Sequence, residues 1–198
     1  MKLAIDLDEC VAGTFEVDLA TCYLYNKKNN LLKKSFYLPV SSHAPRVFEM
    51  SLQEEEKFFI EQRKLVIEKK LLRPKYLAKE IINKLYDENN EIIIMTARND
   101  KYWKNAAKES AAWLDENGIK YSKVIANCLN KGQACKENNV DILVDDNLYL
   151  IKQANSYGIN TITYWSPFNK KYKDKLNVFA SCWPEVYDKV KEYEKNKS

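Results

Sequence analysis

Apolar and polar positions divide the chain into two regimes. Leu3, Ala4 and Ile5 form a short continuous apolar run, the pattern of a strand buried on both faces. The run ends directly in two carboxylates two residues apart, Asp6 and Asp8. From Val11 to about Arg73 no buried strand is legible. Phe15, Leu19, Cys22, Tyr23 and Tyr25 fall near one face of a helix over residues 15–26, and residues 29–45 are looser, with a short segment at 35–40. Ser51 followed by Glu54 is a capping box opening a helix over residues 51–70.

Beyond Arg73 helix and strand patterns alternate regularly. Pro74 suits the first turn of a helix, with Leu77, Ile81, Ile82 and Leu85 as its apolar face. Ile92 to Met95 is a second buried strand, ending in Thr96-Ala97-Arg98. A helix over residues 101–117 turns Trp103, Ala107, Ala111 and Leu114 inward and stops at Gly118. A short strand at 123–126 precedes a helix at 132–138, with Lys131 at its start. Ile142 to Val144 is the next strand and ends in Asp145-Asp146. A helix at 148–157, a strand at 160–164, an aromatic loop at 165–168 and a terminal helix from near Pro184 complete the chain. Such alternation predicts an α/β, parallel five-stranded sheet flanked by helices. The core comprises residues 1–12 and 74–198; residues 13–73 form a small helical insertion after the first strand.

Composition narrows the classes of function. The 198 residues carry a net charge of +4, spread over short lysine pairs, and no run reaches the five or six like charges of a nucleic-acid-binding tail. No nucleic-acid polymer is expected as a partner. Five scattered cysteines and the single His43 lack the spacing of a zinc cluster. No apolar stretch approaches the roughly 18 residues of a membrane span, and Asp6 and Asp8 interrupt the run that a signal peptide would need. A cytoplasmic protein with reduced thiols and no membrane partner is expected. The oligomeric state stays open, a homodimer included.

Three polar features stand at equivalent places, each after a buried strand: Asp6/Asp8, Thr96 and Asp145-Asp146. A doubly wound sheet gathers such strand ends in one crevice. Four carboxylates converging there repel one another unless a cation is present, and all-oxygen ligation suits Mg2+. Lys131 adds a positive charge on the same rim. This mixture suits a phosphate ester: cations offset the phosphoryl charge, one carboxylate attacks phosphorus, and a second protonates the leaving alcohol and then activates water.

The order Asp6-x-Asp8, Thr96, Lys131, Asp145-Asp146, each on its own element, resembles the haloacid dehalogenase (HAD) superfamily over essentially the whole chain. The resemblance implies a Rossmann-like, HAD-like core, with residues 13–73 as a small C1-type helical cap. It implies Asp6 as nucleophile and metal ligand, and Asp8 as general acid and base with its carbonyl on the metal. Thr96, Ala97, Arg98 and Lys131 would bind the substrate phosphate, Thr96 and Lys131 also serving catalysis, while Asp145 and Asp146 complete the Mg2+ site. Asp146 is favoured as the direct ligand and Asp145 as its partner or a second one. Asp8 points to phosphoryl chemistry over carbon–halogen cleavage. Among capped members the chain is most similar to the 5'(3')-deoxyribonucleotidase-like bacterial nucleotidases, which implies a nucleoside monophosphate as the small phosphorylated partner. Glu9 departs from the glycine common at its position, and Thr96-Ala97-Arg98 departs from Thr-Ser-Pro. The alternatives are a sugar-phosphate or other small-metabolite phosphatase and, in another class, a non-catalytic phosphate-binding regulatory module.

Several residues keep two readings. Arg98 could reach a phosphate or cap the next helix. Phe15, Phe36, Tyr37 and Phe48 could stack on a base or form the core of the insertion, the commoner use of such residues. His43, Trp165, Phe168 and Trp183 read as structural. Asn147 could orient a metal-bound water or cap the helix that follows.

Overall fold

The computed structural model describes residues 1–32, 43–68, 70–169 and 178–197. The chain divides into two compact units, Met1–Ala12 with Pro74–Ser198, and Gly13–Arg73.

The first unit is built on six parallel strands: β1 (Lys2–Asp6), β2 (Glu91–Met95), β3 (Lys123–Ile125), β4 (Ile142–Asp145), β5 (Asn160–Tyr164) and β6 (Phe179–Ala180). Their order in the sheet is β3-β2-β1-β4-β5-β6. β1 lies between β2, with Ile5 beside Ile94, and β4, with Ile5 beside Val144. Chain order therefore reverses at β1, and the carboxyl ends of β1 and β4 flank the crevice where an open α/β sheet binds ligands. Five of these strands match the expected ones. β6 is the correction to a five-stranded sheet: two residues pair with Thr163 and Tyr164, too short a stretch to display any periodicity.

Strand alternation divides the core between the two faces of the sheet. Leu3, Ile5, Ile92, Ile94, Ile142 and Val144 pack with Ile82 and Leu85 of α4 (Ala78–Asp87), Leu114 of α5 (Ala106–Glu116), and Trp183, Val186 and Val190 of α8 (Trp183–Lys197). Ala4, Ile93, Met95 and Leu143 pack on the other face with Cys135 of α6 (Lys131–Glu137) and Ala154 of α7 (Leu148–Ser156). Trp183 is fully buried, and its Nε1 donates to the carbonyl of Cys10 at 3.1 Å.

Two helix starts differ from expectation. Pro74 is not in a helix; it pairs with Ala12 in an antiparallel bridge, and α4 begins only after Leu77, whose φ is 60°. Helix α5 begins five residues later than expected, at Ala106, capped by Asn105, whose side chain accepts from the amide of Lys108 at 3.0 Å. Its buried face is Ala106, Ser110 and Leu114, one step round from the face expected. Alanines on both sides of each turn leave the apolar stripe ambiguous.

The second unit contains α1 (Thr14–Lys28), α2 (Ala44–Val47) and α3 (Leu52–Glu68). Cys22, Tyr25, Ala44 and Phe58 form its buried cluster, with Phe48 packed against them. The capping box is present: the Ser51 amide donates to Glu54 Oε2 at 2.7 Å, and the Glu54 amide donates to Ser51 Oγ at 3.3 Å. His43 Nε2 lies 2.8 Å from Glu55 Oε1. Phe36, Tyr37 and the segment at 35–40 lie outside the described residues. Among the described residues no helix is long and apolar enough to cross a membrane, and all five cysteines are free.

Candidate active site

Asp6 is the last residue of β1 and Asp145 the last of β4, adjacent strands in parallel register. Lys131, the first residue of α6, lies between them. Its Nζ donates to Asp6 Oδ1 and, at 2.6 Å, to Asp145 Oδ2. Lys131 and Asp145 are fully buried and Asp6 nearly so. The Asn130 side chain accepts from the Gln133 amide at 3.0 Å, starting the helix that delivers the lysine. The second oxygen of Asp145 accepts the Asn147 amide at 2.8 Å. Asn147 in turn caps α7 through the Tyr149 amide at 2.9 Å. Both Asp145 oxygens are thus engaged within the protein.

β1 runs into a tight turn closed by the Glu9 amide donating to the Ala12 carbonyl at 2.9 Å and the Ala12 amide donating to the Leu7 carbonyl at 2.8 Å. Glu9 occupies the left-handed region, with φ 62°, where glycine would sit without the roughly 1–2 kcal/mol that a Cβ costs. Its carboxylate meets Lys75 Nζ at 2.9 Å. The same turn carries Asp8, whose side chain is 35% exposed. Across from it, at the end of β2, Thr96 Oγ1 donates to Asp8 Oδ2 at 3.4 Å and accepts from the Arg98 amide at 3.1 Å. Arg98 grips Asp8 with two nitrogens, and Ala97 between them is exposed.

One oxygen of Asp6, one of Asp146 and the Sγ of Cys10 fall within 4.8 Å of one another. Cys10 and Asn169 have no counterpart in the sequence reading. Asn169 Nδ2 donates to the carbonyls of Asp146 at 2.8 Å and Tyr164 at 2.7 Å, while its Oδ1 accepts the Ser166 amide at 2.9 Å. That residue fixes the backbone of the acidic pair from the loop after β5. Nothing in the local sequence marks it, because its partners lie on β5 and beyond β4.

The electrostatics follow from two buried carboxylates, Asp6 and Asp145, and the half-buried Asp146 near one ammonium. Burial pulls the Lys131 ammonium towards deprotonation, but Asp145 and Asp6 outweigh it and raise its pKa above the ordinary value. Burial, then the charge of Asp145, pushes the Asp146 carboxyl up to about 7, against the pull of Ser166. Burial likewise raises the Asp6 carboxyl well above the carboxylate range, Lys131 opposing and Asp145 adding. Such a cluster has spare negative charge, and the carboxylate oxygens of Asp6 and Asp146 fit a hard divalent cation.

No family model matches the sequence, and no curated protein matches it. Solved structures do. A predicted phosphoglycolate phosphatase from Haemophilus somnus aligns with TM-score 0.68 and 14% identity over 95% of this chain and 96% of that one. A haloacid dehalogenase-like hydrolase from Streptococcus pneumoniae aligns with TM-score 0.68 and 14% identity over 96% and 97%. The chain has the HAD-like fold. A candidate β-phosphoglucomutase from Thermotoga maritima shares it at TM-score 0.61 and 16% identity, over 96% of this chain and 98% of that one. At these identities the likeness is one of fold.

Proposed function

We propose that this protein is a Mg2+-dependent phosphomonoester hydrolase of the HAD superfamily, acting through an aspartyl-phosphate on Asp6. The observation that carries the proposal is the placement of Asp6: clamped by Lys131 against Asp145, with Asp8 on the turn that follows it and Thr96 facing Asp8 from the end of β2. Asp6 attacks phosphorus, and the bond from phosphorus to the ester oxygen breaks. Asp8 gives that oxygen a proton, so an alcohol leaves. Asp8, now a carboxylate, takes a proton from water, whose oxygen displaces Asp6 from phosphorus and releases inorganic phosphate. Lys131 holds Asp6 in place, and Thr96 Oγ donates to a phosphoryl oxygen. Asp6, Asp146 and the Asp8 carbonyl would hold the Mg2+, which offsets charge on the phosphoryl group. Asp145, with both oxygens engaged, serves to hold Lys131.

For the substrate we favour a sugar phosphate or another small phosphorylated metabolite over a nucleoside monophosphate. The names phosphoglycolate phosphatase and β-phosphoglucomutase among the neighbours support that choice. Of the four rings that could stack on a base, Phe48 has a structural use, since it packs on the cluster around Phe58. The helical unit Gly13–Arg73 serves as the cap, and free thiols suit a cytoplasmic enzyme.

The test is phosphate release, with Mg2+, from phosphoglycolate, hexose phosphates, ribo- and deoxyribonucleoside monophosphates and p-nitrophenyl phosphate. Preference for the small acids or sugars is expected. Preference for nucleotides would keep the mechanism and overturn the substrate choice. No release from any of them would favour a phosphate-binding module, although such a module has no use for Asp8.

A further inference from the structure

Arg98 is held on two sides. The edge of its guanidinium grips Asp8: Nη2 donates to Oδ1 at 2.6 Å, and Nε donates to Oδ2 at 2.9 Å and to Oδ1 at 3.2 Å. Its plane lies over the indole of Trp103, with Cζ 4.3 Å from the ring centroid. The backbone is tied as well, the Arg98 carbonyl accepting the Asn127 amide at 2.8 Å. A guanidinium fixed by edge and face is preorganised to present two parallel N–H groups.

The carboxylate that it grips is half-buried, unlike Asp6 and Asp145. The Asp8 side chain is 35% exposed, against 5% for Arg98 and 1% for Lys131. The Arg98–Asp8 pair therefore stands where an incoming anion arrives, whereas the Lys131 pairs are sealed. The fork that fits two carboxylate oxygens fits two phosphate oxygens equally well. A phosphate dianion also carries more charge than the carboxylate it would displace.

We infer that Arg98 is exchanged between Asp8 and the substrate. It grips Asp8 until a phosphate ester arrives, then turns the same N–H edge to the phosphoryl oxygens while Trp103 keeps the guanidinium plane in place. Asp8 is released as a carboxylate when the phosphoryl group is bound, takes up a proton from solvent, and faces the leaving oxygen that will receive it. Substrate binding and placement of the proton donor thus become one event. This inference rests on the phosphatase reading above and couples the phosphate contact expected of Arg98 to the release of Asp8.

Inorganic phosphate, the product of the proposed reaction, is the probe, titrated by calorimetry into the full chain with Mg2+. Arg98→Ala is expected to weaken phosphate binding about ten- to a hundredfold, the worth of charge-assisted hydrogen bonds. Arg98→Lys keeps the charge without the fork and is expected to fall between, carrying the test with the same sign if Arg98→Ala does not fold. Asp8→Asn is expected to tighten binding several-fold, because phosphate no longer competes for the guanidinium. In an Arg98→Ala background that tightening should largely vanish, a coupling read from the double-mutant cycle. Equal tightening in both backgrounds would mean simple charge repulsion and overturn the exchange, as would unchanged phosphate affinity in Arg98→Ala and Arg98→Lys. If the wild-type protein binds no phosphate, it is the phosphatase reading that fails, and the inference with it.

Discussion

Lys131 Nζ lies 2.6 Å from Asp145 Oδ2, with neither side chain reached by solvent. The same ammonium also holds Asp6, so one cation satisfies the ends of two neighbouring strands. Removing one partner of a buried pair leaves a charge uncompensated. Lys131→Met is expected to lower stability by about 3–5 kcal/mol and to abolish turnover. Denaturant unfolding checks the first and phosphate release the second; a variant of unchanged stability would contradict the account of this pair.

The raised carboxyl of Asp146 makes a pH prediction. Its ordinary value is 3.8 and its value in the fold is about 7, through burial first and then Asp145. The folded state therefore binds this proton more tightly than the unfolded chain does. The stability it adds is complete below about pH 4 and is lost as pH rises through about 7. Chelator-treated protein should lose thermal stability between pH 5 and pH 8, since carboxylates with lowered values, such as Asp141, have finished titrating there. Mg2+ needs the ionised carboxylate, so the stabilisation that it adds should grow over the same range. Scanning calorimetry with and without Mg2+ reads both trends; a rising Tm in the chelator series would contradict them.

Gly132 follows Lys131 on α6 and lies close against α7. A Cβ there would stand 2.6 Å from Tyr157 Cδ2 and 3.0 Å from the backbone oxygen of Gln153. The tyrosine ring can turn aside, but the carbonyl is part of a helix. Gly132→Ala, normally favourable within a helix, is expected here to destabilise by about 1–3 kcal/mol through overpacking. It should also lower kcat, because the lysine next to it must shift. A stabilised variant with full activity would show that α7 yields at this contact.

Much of the core was legible because each strand that ends at the crevice is a continuous apolar run broken by a polar residue. Leu3 to Asp6, Ile92 to Thr96 and Ile142 to Asp145 all have this form. The two-residue β6 has no such run, and the alanine-rich start of α5 supports two apolar stripes equally. Lys131 sits at a helix start in the sequence, but its double pairing depends on β1 and β4 being neighbours, which only the strand order determines. The grip of Arg98 on Asp8 spans 90 residues and leaves no local trace. The same holds for Asn169, 23 residues from the carbonyl it anchors. Cys10 has no ligand spacing in the sequence, yet its Sγ lies within 4.8 Å of carboxylate oxygens of Asp6 and Asp146.

The most direct test of the central claim is to look for the phosphoryl group on Asp6. The protein with Mg2+ and a turned-over phosphomonoester is quenched in acid during steady state, digested and measured by mass spectrometry. One phosphoryl group is expected on the N-terminal peptide, located at Asp6 by fragmentation. It should be absent from Asp6→Asn, which should fold but release no phosphate, and should accumulate in Asp8→Asn if hydrolysis of the intermediate becomes the slow step. Steady release of phosphate by an Asp6→Asn protein, with no adduct on the wild type, would contradict it.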